Sequence, residues 1–151
     1  MKATKQQIDK FLMSKTFAMA GVSRNSKNFG HQAFLQLRKK GYNILPVNPH
    51  ADQIDGEKCF KSICDLPSNI ESLLIMTSKA DTDVILQQAL DKGIANIWIQ
   101  QFSETEQTFS IVKNQRANII LKQCIYMFVE PVTGLHGFHK FLSKAFNKYP
   151  V

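Results

Sequence analysis

Five short apolar runs recur along the chain, separated by polar turns or by stretches of helical periodicity, and this alternation limits the fold more than any other feature. The runs are FAMAGV from Phe17, YNILPV from Tyr42, IESLLIM from Ile70, NIWIQ from Asn96 and NIIL from Asn118. Short apolar strands joined through helices require right-handed crossovers, which lay the strands side by side in one parallel sheet. FAMAGV has no polar residue on either face, as a strand covered on both sides must. The fold class is therefore α/β, a doubly wound parallel sheet of about five strands with helices on both faces and a further helix at the C-terminus.

Local signals divide the helices from the strands. Thr4 and Gln7 have capping-box spacing ahead of Ile8, Phe11 and Leu12. Gly41 is placed to stop the helix that follows the first strand, after Arg38, Lys39 and Lys40. Asp81 is read as the N-cap of a helix whose apolar residues are Val84, Ile85, Ala89 and Leu90, with Gly93 as its terminator. Ser103 and Glu106 repeat the capping-box spacing before a helix to about Gln115. Pro46 has no N–H for a ladder, so the second strand is expected to finish there. Residues 56–60 read as a short extended piece and residues 62–67 as a turn or brief helix. The chain is read as a single domain over residues 1–151, with a core at about 16–124 and a helical extension at 130–151.

The 151 residues are 44% hydrophobic and 21% charged, as in an ordinary globular domain. A net charge of +7 and a pI near 9.4 favour an anionic partner. The N-terminus lacks a signal-peptide core, and no apolar run approaches the roughly 20 residues that span a bilayer. A cytoplasmic protein with no membrane role is the expectation. Cys59, Cys64 and Cys124 are odd in number and form no CxxC pair, which points to free, mostly buried thiols. Cys124 in particular is read as an unreactive structural residue.

Polar residues collect at the carboxyl ends of the strands, where ligands sit in such sheets. The first turn, opening at Gly21, contains Ser23, Arg24, Asn25, Ser26, Lys27 and Asn28, and leads through Gly30 into a helix. A strand feeding a polar turn at a helix N-terminus suits phosphate, because unpaired N–H groups and the positive end of the dipole point there. Asn48 and Pro49 follow the second strand, Thr77 and Ser78 the third, and Gln100 and Gln101 the fourth. The first turn lacks the G-x-G-x-x-G spacing of dinucleotide sites, and Asn48 stands where a ribose-binding acid is expected. No P-loop occurs. Ser23, Asn25 and Ser26 serve equally well as turn or capping residues, and Asn48 as a loop former between prolines. Met76 and Trp98 are read as core.

The segments A-G-V-S-R at 20–24, K-K-G-Y-N-I-L-P-V-N-P at 39–49, G-E-K-C-F at 56–60, D-L-P at 65–67 and I-W-I-Q at 97–100 resemble the small stand-alone CoA-binding proteins of bacteria. That family is similar to the CoA-binding N-terminal domain of the succinyl-CoA synthetase alpha subunit. The resemblance covers about Thr16 to Cys124 and implies a Rossmann-like domain with CoA, or acyl-CoA, across the carboxyl ends of the strands. It implies that Gly21, Val22, Ser23 and Arg24 surround the phosphates with Lys27 nearby. Pro46, Asn48 and Pro49 would border the 3′-phosphate end, and Thr77, Ser78 and Gln100 the pantetheine arm. The family usually continues the I-W-I-Q strand into a glycine, whereas Gln101 and Phe102 stand here.

No catalytic constellation is evident. His31 follows the first turn without a carboxylate beside it in sequence. His136 and His139 lie three residues apart without a third metal ligand, and are read with Leu135, Phe138, Leu142 and Phe146 as tail packing on the domain, a homodimer contact being the alternative. Lys140, Lys144 and Lys148 read as a solvated face. The resulting expectation is a CoA or acyl-CoA binding protein, not an enzyme, taking an anionic small molecule. The alternative is an NADP-dependent enzyme or nucleotide-sensing regulator using the same turn. Nucleic-acid binding rests on charge alone, without a stacking signature or a basic recognition helix.

Overall fold

The computed structural model describes residues 3–129. The helix expected over 130–151, with His136, His139 and its lysines, lies outside them. Helix α1 (Lys5–Met13) is closed by the expected box: Thr4 Oγ1 accepts the Gln7 N–H at 3.2 Å and Gln7 Oε1 accepts the Thr4 N–H at 2.9 Å. Strand β1 (Thr16–Ala20) leads into α2 (Phe29–Lys39), then β2 (Asn43–Val47). A two-stranded antiparallel hairpin follows, β3 (Gln53–Ile54) and β4 (Glu57–Lys58), then a 3-10 turn at Ile63–Asp65. The remainder is β5 (Ser72–Ile75), α3 (Lys79–Asp91), β6 (Asn96–Gln100), α4 (Glu106–Val112), β7 (Asn118–Gln123) and a 3-10 turn at Ile125–Met127.

The main sheet has the order β2-β1-β5-β6-β7, with every neighbouring pair parallel. It is the Rossmann-like α/β architecture that the sequence implies. Alternate residues along each strand enter different cores, as the two-residue period requires. Phe17, Met19, Leu74, Trp98 and Ile120 pack with Ile8 and Phe11 of α1 and Phe34 and Leu37 of α2. Ala18, Ala20, Leu73, Ile75, Ile97 and Ile99 pack with Leu86 and Ala89 of α3 and Val112 of α4. Trp98 is fully buried, edge-on to Phe11 at 5.5 Å between ring centroids. No helix among the described residues is long and apolar enough to cross a membrane.

Several local expectations are corrected. Pro46 does not end β2 but pairs with Met19 inside it. Its carbonyl faces outward and accepts the Phe60 N–H at 2.9 Å, so its ring nitrogen also faces the outer edge and costs the β1 ladder nothing. Ser78, not Asp81, is the N-cap of α3; Asp81 lies in the first turn and accepts the Ser78 hydroxyl at 2.7 Å. Thr105, not Ser103, caps α4 through a box with Thr108, and the helix stops at Val112. Ser103 instead donates its hydroxyl to the Thr77 carbonyl at 2.9 Å, tying the turn after β6 to the turn after β5. Strand β7 runs two residues beyond Leu121, with a register shift opposite Trp98 to Gln100 and Lys122 at φ 59°. The extended piece at 56–60 is half of the hairpin, whose turn residues Asp55 and Gly56 have φ of 48° and 79°.

At the end of β1 the backbones themselves touch. Gly21 has φ 94°, and a Cβ there would collide with the Met76 carbonyl group at the end of β5. A Cβ at Gly30, in the first turn of α2, would collide with the Gly21 carbonyl oxygen. Phe102, by contrast, holds φ 75° with its side chain 78% exposed.

Two substitutions test this backbone geometry. Gly to Ala inside a helix ordinarily stabilises it, yet Gly30→Ala is expected to lower unfolding free energy by about 2–3 kcal/mol through overpacking against backbone. Urea titration measures it, and an unchanged midpoint would contradict the close approach. Phe102→Gly is expected to raise stability by up to about 1 kcal/mol, because the left-handed strain it relieves exceeds the extra chain entropy of glycine. A loss of stability by the same titration would mean that the Phe102 ring contributes packing its exposure does not suggest.

Candidate ligand cleft

The direction of winding reverses between β1 and β5. From β1 the chain proceeds to β2 on one side, and from β5 to β6 and β7 on the other. Helices leaving the two strands diverge, and a crevice opens between their N-termini. It has a volume of about 530 Å³. Gly21 and Asn28 line it from the first turn, Asn48, Pro49 and His50 from the end of β2, and Lys61 to Ile63 from the segment after the hairpin. Met76, Thr77 and Ser78 follow β5, and Asp81, Val84, Ile85 and Gln88 come from α3. A shallower depression of Ser23, Arg24, Asn25, Asn48 and His50 shares Asn48 and His50 with it.

The first turn is built from side chains hydrogen-bonded to their own backbone. Ser23 Oγ accepts the Asn25 N–H and Asn25 Oδ1 the Lys27 N–H, each at 3.0 Å. Asn28 is the N-cap of α2, its Oδ1 accepting the Gly30 N–H at 2.8 Å. Asn48 ties this turn to β2: its Nδ2 donates to the Val22 carbonyl and its Oδ1 accepts the His50 N–H, both at 2.8 Å. Asn48 thus shapes its loop and also lines the cleft. His31, only 4% exposed, places Nδ1 2.6 Å from the Ser23 carbonyl oxygen and Nε2 2.8 Å from Asp55 Oδ2.

Of the residues expected at the site, Gly21, Asn48, Pro49, Thr77 and Ser78 line the cleft, while Ser23 and Arg24 line the adjoining depression. Arg24 makes no ion pair among the described residues. Four others are placed elsewhere. The Val22 side chain is fully buried in the core and only its carbonyl serves the turn. Lys27 is exposed and lines neither hollow, and Pro46 is buried within β2. Gln100 is 6% exposed and spent on the sheet: its Nε2 donates to Cys124 Sγ and its Oε1 accepts the Ile125 N–H, both at 3.2 Å. Its place at a strand end and the family resemblance were the signals for Gln100, and β6 lies one strand beyond the crevice.

Sequence reasoning missed the α3 wall. Thr82, Leu86 and Ala89 form its buried face, whereas Val84 is 59% exposed and lies with Ile85 and Gln88 along the cleft. An apolar pair one position off the core stripe was the available signal. Met76, read as core, packs on the core and also lines the cleft. Lys61 was missed because its position follows from the hairpin; Asp52 Oδ1 holds it at 2.7 Å, and this bond draws the Asp52 carboxyl below its ordinary range. Burial pushes the Cys59 thiol up, so it stays protonated, its S–H toward the Asn48 and Phe60 carbonyls. Cys124 is also buried, whereas Cys64 is exposed. Among the described residues, no cluster of three or more metal-ligating side chains occurs.

Relatives share this architecture. The "Uncharacterized protein YneT" of Bacillus subtilis (strain 168) is 24% identical over 123 residues, 81% of this chain and 91% of that protein. The acetate–CoA ligase (ADP-forming) II of Archaeoglobus fulgidus is 28% identical over 91% of this chain, and the alpha subunit of the Pyrococcus furiosus enzyme of that name is 23% identical over 92%. The chain spans only 21% and 31% of those two ligase chains. A solved structure of a hypothetical protein from Pyrococcus horikoshii OT3 superposes with a TM-score of 0.72 at 25% identity, covering 81% of this chain and 87% of that one. A conserved hypothetical protein from Pyrococcus furiosus gives 0.70 at 26% identity, over 73% and 95%. The family model described as CoA binding domain matches residues 15–130, and the chain belongs to that CoA-binding domain family.

Proposed function

We propose that this protein binds CoA or an acyl-CoA in the crevice between β1 and β5, as a binding module without bond-breaking chemistry of its own. One observation carries the reading: the polar ends of β1, β2 and β5 converge on a single cleft whose basic extension contains Arg24 and His50. The phosphates lie against the Arg24 side, where a guanidinium without an ion-pair partner among the described residues offers a planar fork to phosphate oxygens. The α3 wall of Val84 and Ile85, facing Val47 and Ile63, supplies apolar surface for a flat or extended group. His50 and Lys61, the latter paired with Asp52, line the cleft with Asn48. The ligase relatives bear CoA in their names, and the part of each that this chain matches is a fraction of the whole enzyme. That supports ligand binding here and leaves ligation to the rest of those proteins. Ser78 and Asp81, a hydroxyl–carboxylate pair lining the cleft, are hydrogen-bonded to each other at the start of α3.

Calorimetry with CoA, dephospho-CoA, NAD and NADP separates the ligand classes. CoA is expected to bind at submillimolar concentration and more tightly than either dinucleotide; failure to do so overturns the proposal, and tight NADP binding without CoA binding would favour the alternative of an NADP-dependent enzyme or nucleotide-sensing regulator. Arg24→Ala is expected to weaken CoA binding by about 1.5–3 kcal/mol, the range for a charge-assisted contact, without lowering the unfolding midpoint. Equal affinity in that variant would remove Arg24 from the site.

A further inference from the structure

His31 occupies an unusual position, because both of its ring nitrogens face acceptors. The Ser23 carbonyl 2.6 Å from Nδ1 can only accept, and so can the Asp55 carboxylate 2.8 Å from Nε2. A neutral imidazole has one N–H and satisfies one of them; the imidazolium satisfies both. The sequence offered no carboxylate beside His31, and the hairpin supplies one from 24 positions away, on a residue held at φ 48°. A second ion pair, Arg38 with Glu57, fastens the same hairpin to the same helix.

The bond to Ser23 has a consequence on the opposite side of the peptide. In a planar trans peptide the C=O and the following N–H point in opposite directions. With the Ser23 carbonyl drawn inward to a buried ring, the Arg24 N–H points the opposite way, and Arg24 itself lines the depression with Asn25, Asn48 and His50. No acceptor among the described residues takes that N–H.

We propose that His31, as an imidazolium clamped between Asp55 and Ser23, is a positioning residue that aims the Ser23–Arg24 peptide at an anionic ligand, so that ligand affinity falls as the ring loses its proton. The proposal rests on the phosphate-binding reading of the first turn. Deprotonation leaves one acceptor facing a lone pair; the clamp then loosens on either its Asp55 or its Ser23 side, and the peptide is free to rotate. The charged group facing the ring is Asp55 from the hairpin. Arg38, on the same helix, is engaged by Glu57, and Arg24, Lys27 and His50 are the other ionisable groups of the turn and of the loop after β2.

Asp55→Asn separates this role from simple packing. Asparagine tolerates the left-handed conformation and can donate to Nε2, which lets a neutral ring keep its single N–H on Ser23. Calorimetry with CoA on the full chain from about pH 5.5 to about pH 8.5 compares the two proteins across the range where histidine titrates. The ratio of their affinities at each pH cancels every pH effect that the two proteins share. Wild-type affinity is expected to fall roughly tenfold relative to Asp55→Asn as pH rises, the size of one lost hydrogen bond; a constant ratio overturns the proposal. A second readout is free of CoA: the Arg24 amide resonance, titrated with inorganic pyrophosphate. A pH-dependent shift of that resonance in the wild type, flattened in Asp55→Asn, supports the clamp even if CoA fails to bind, in which case the CoA reading alone falls. An Arg24 amide indifferent to both ligands overturns the clamp.

Discussion

At the carboxyl end of β1, three backbone segments meet without a side chain between them. The first residue of the turn rests on the last peptide of β5, and the first turn of α2 rests on the carbonyl of that same residue. Only glycine at 21 and 30 permits this, for reasons of hard-sphere contact. Much else follows from the approach. It brings the α2 N-terminus down onto the sheet, sets the first turn beside the end of β5, and places the crevice where the winding reverses. A wider β1–α2 turn would fill that crevice with side chains.

Around this contact the turn is held from behind, which leaves its outer surface for a ligand. Asn48 binds the Val22 carbonyl and His31 the Ser23 carbonyl, so two successive carbonyls are drawn inward by groups from the loop after β2 and from α2. Small side chains of the turn bind its own amides. Arg24 and Lys27 are exposed on the outside and make no ion pair among the described residues. A turn organised this way meets an anion with little rearrangement, and preorganisation of that kind lowers the entropic cost of binding.

Much of the fold was legible because its signals are local or periodic. The five apolar runs became the five sheet strands, NIWIQ with its ends unchanged, and Gly41 and Gly93 lie just past helix ends at positive φ as expected. The errors share a cause. Asp81 and Ser103 have the chemistry of N-caps, but neighbouring hydroxyls on Ser78 and Thr105 occupy the extended position that a cap needs, and Ser103 was committed to a carbonyl 26 residues away. Gln100 has the polarity of a ligand contact, yet the register of β7 placed Cys124 and Ile125 over it. Spacing along the chain does not reveal which of two adjacent candidates a distant partner will claim.

By itself the sequence determined the strand and helix types, the parallel sheet and the residues that gather at the carboxyl ends of its strands, because hydrophobic period, glycine conformation and cap chemistry act within a few residues. It also determined family membership, since the matched segment spans residues 15–130. Tertiary structure decided which of those residues share one cleft. Strand order put β5, not β2, on the far side of β1, so Thr77 and Ser78 joined Gly21 and Asn48 while Gln100 was left one strand away. The hairpin decided the surroundings of His31 in the same manner. Its carboxylate arrives through a long-range approach that no local propensity encodes, and the imidazole between Asp55 and Ser23 is a product of packing rather than of spacing.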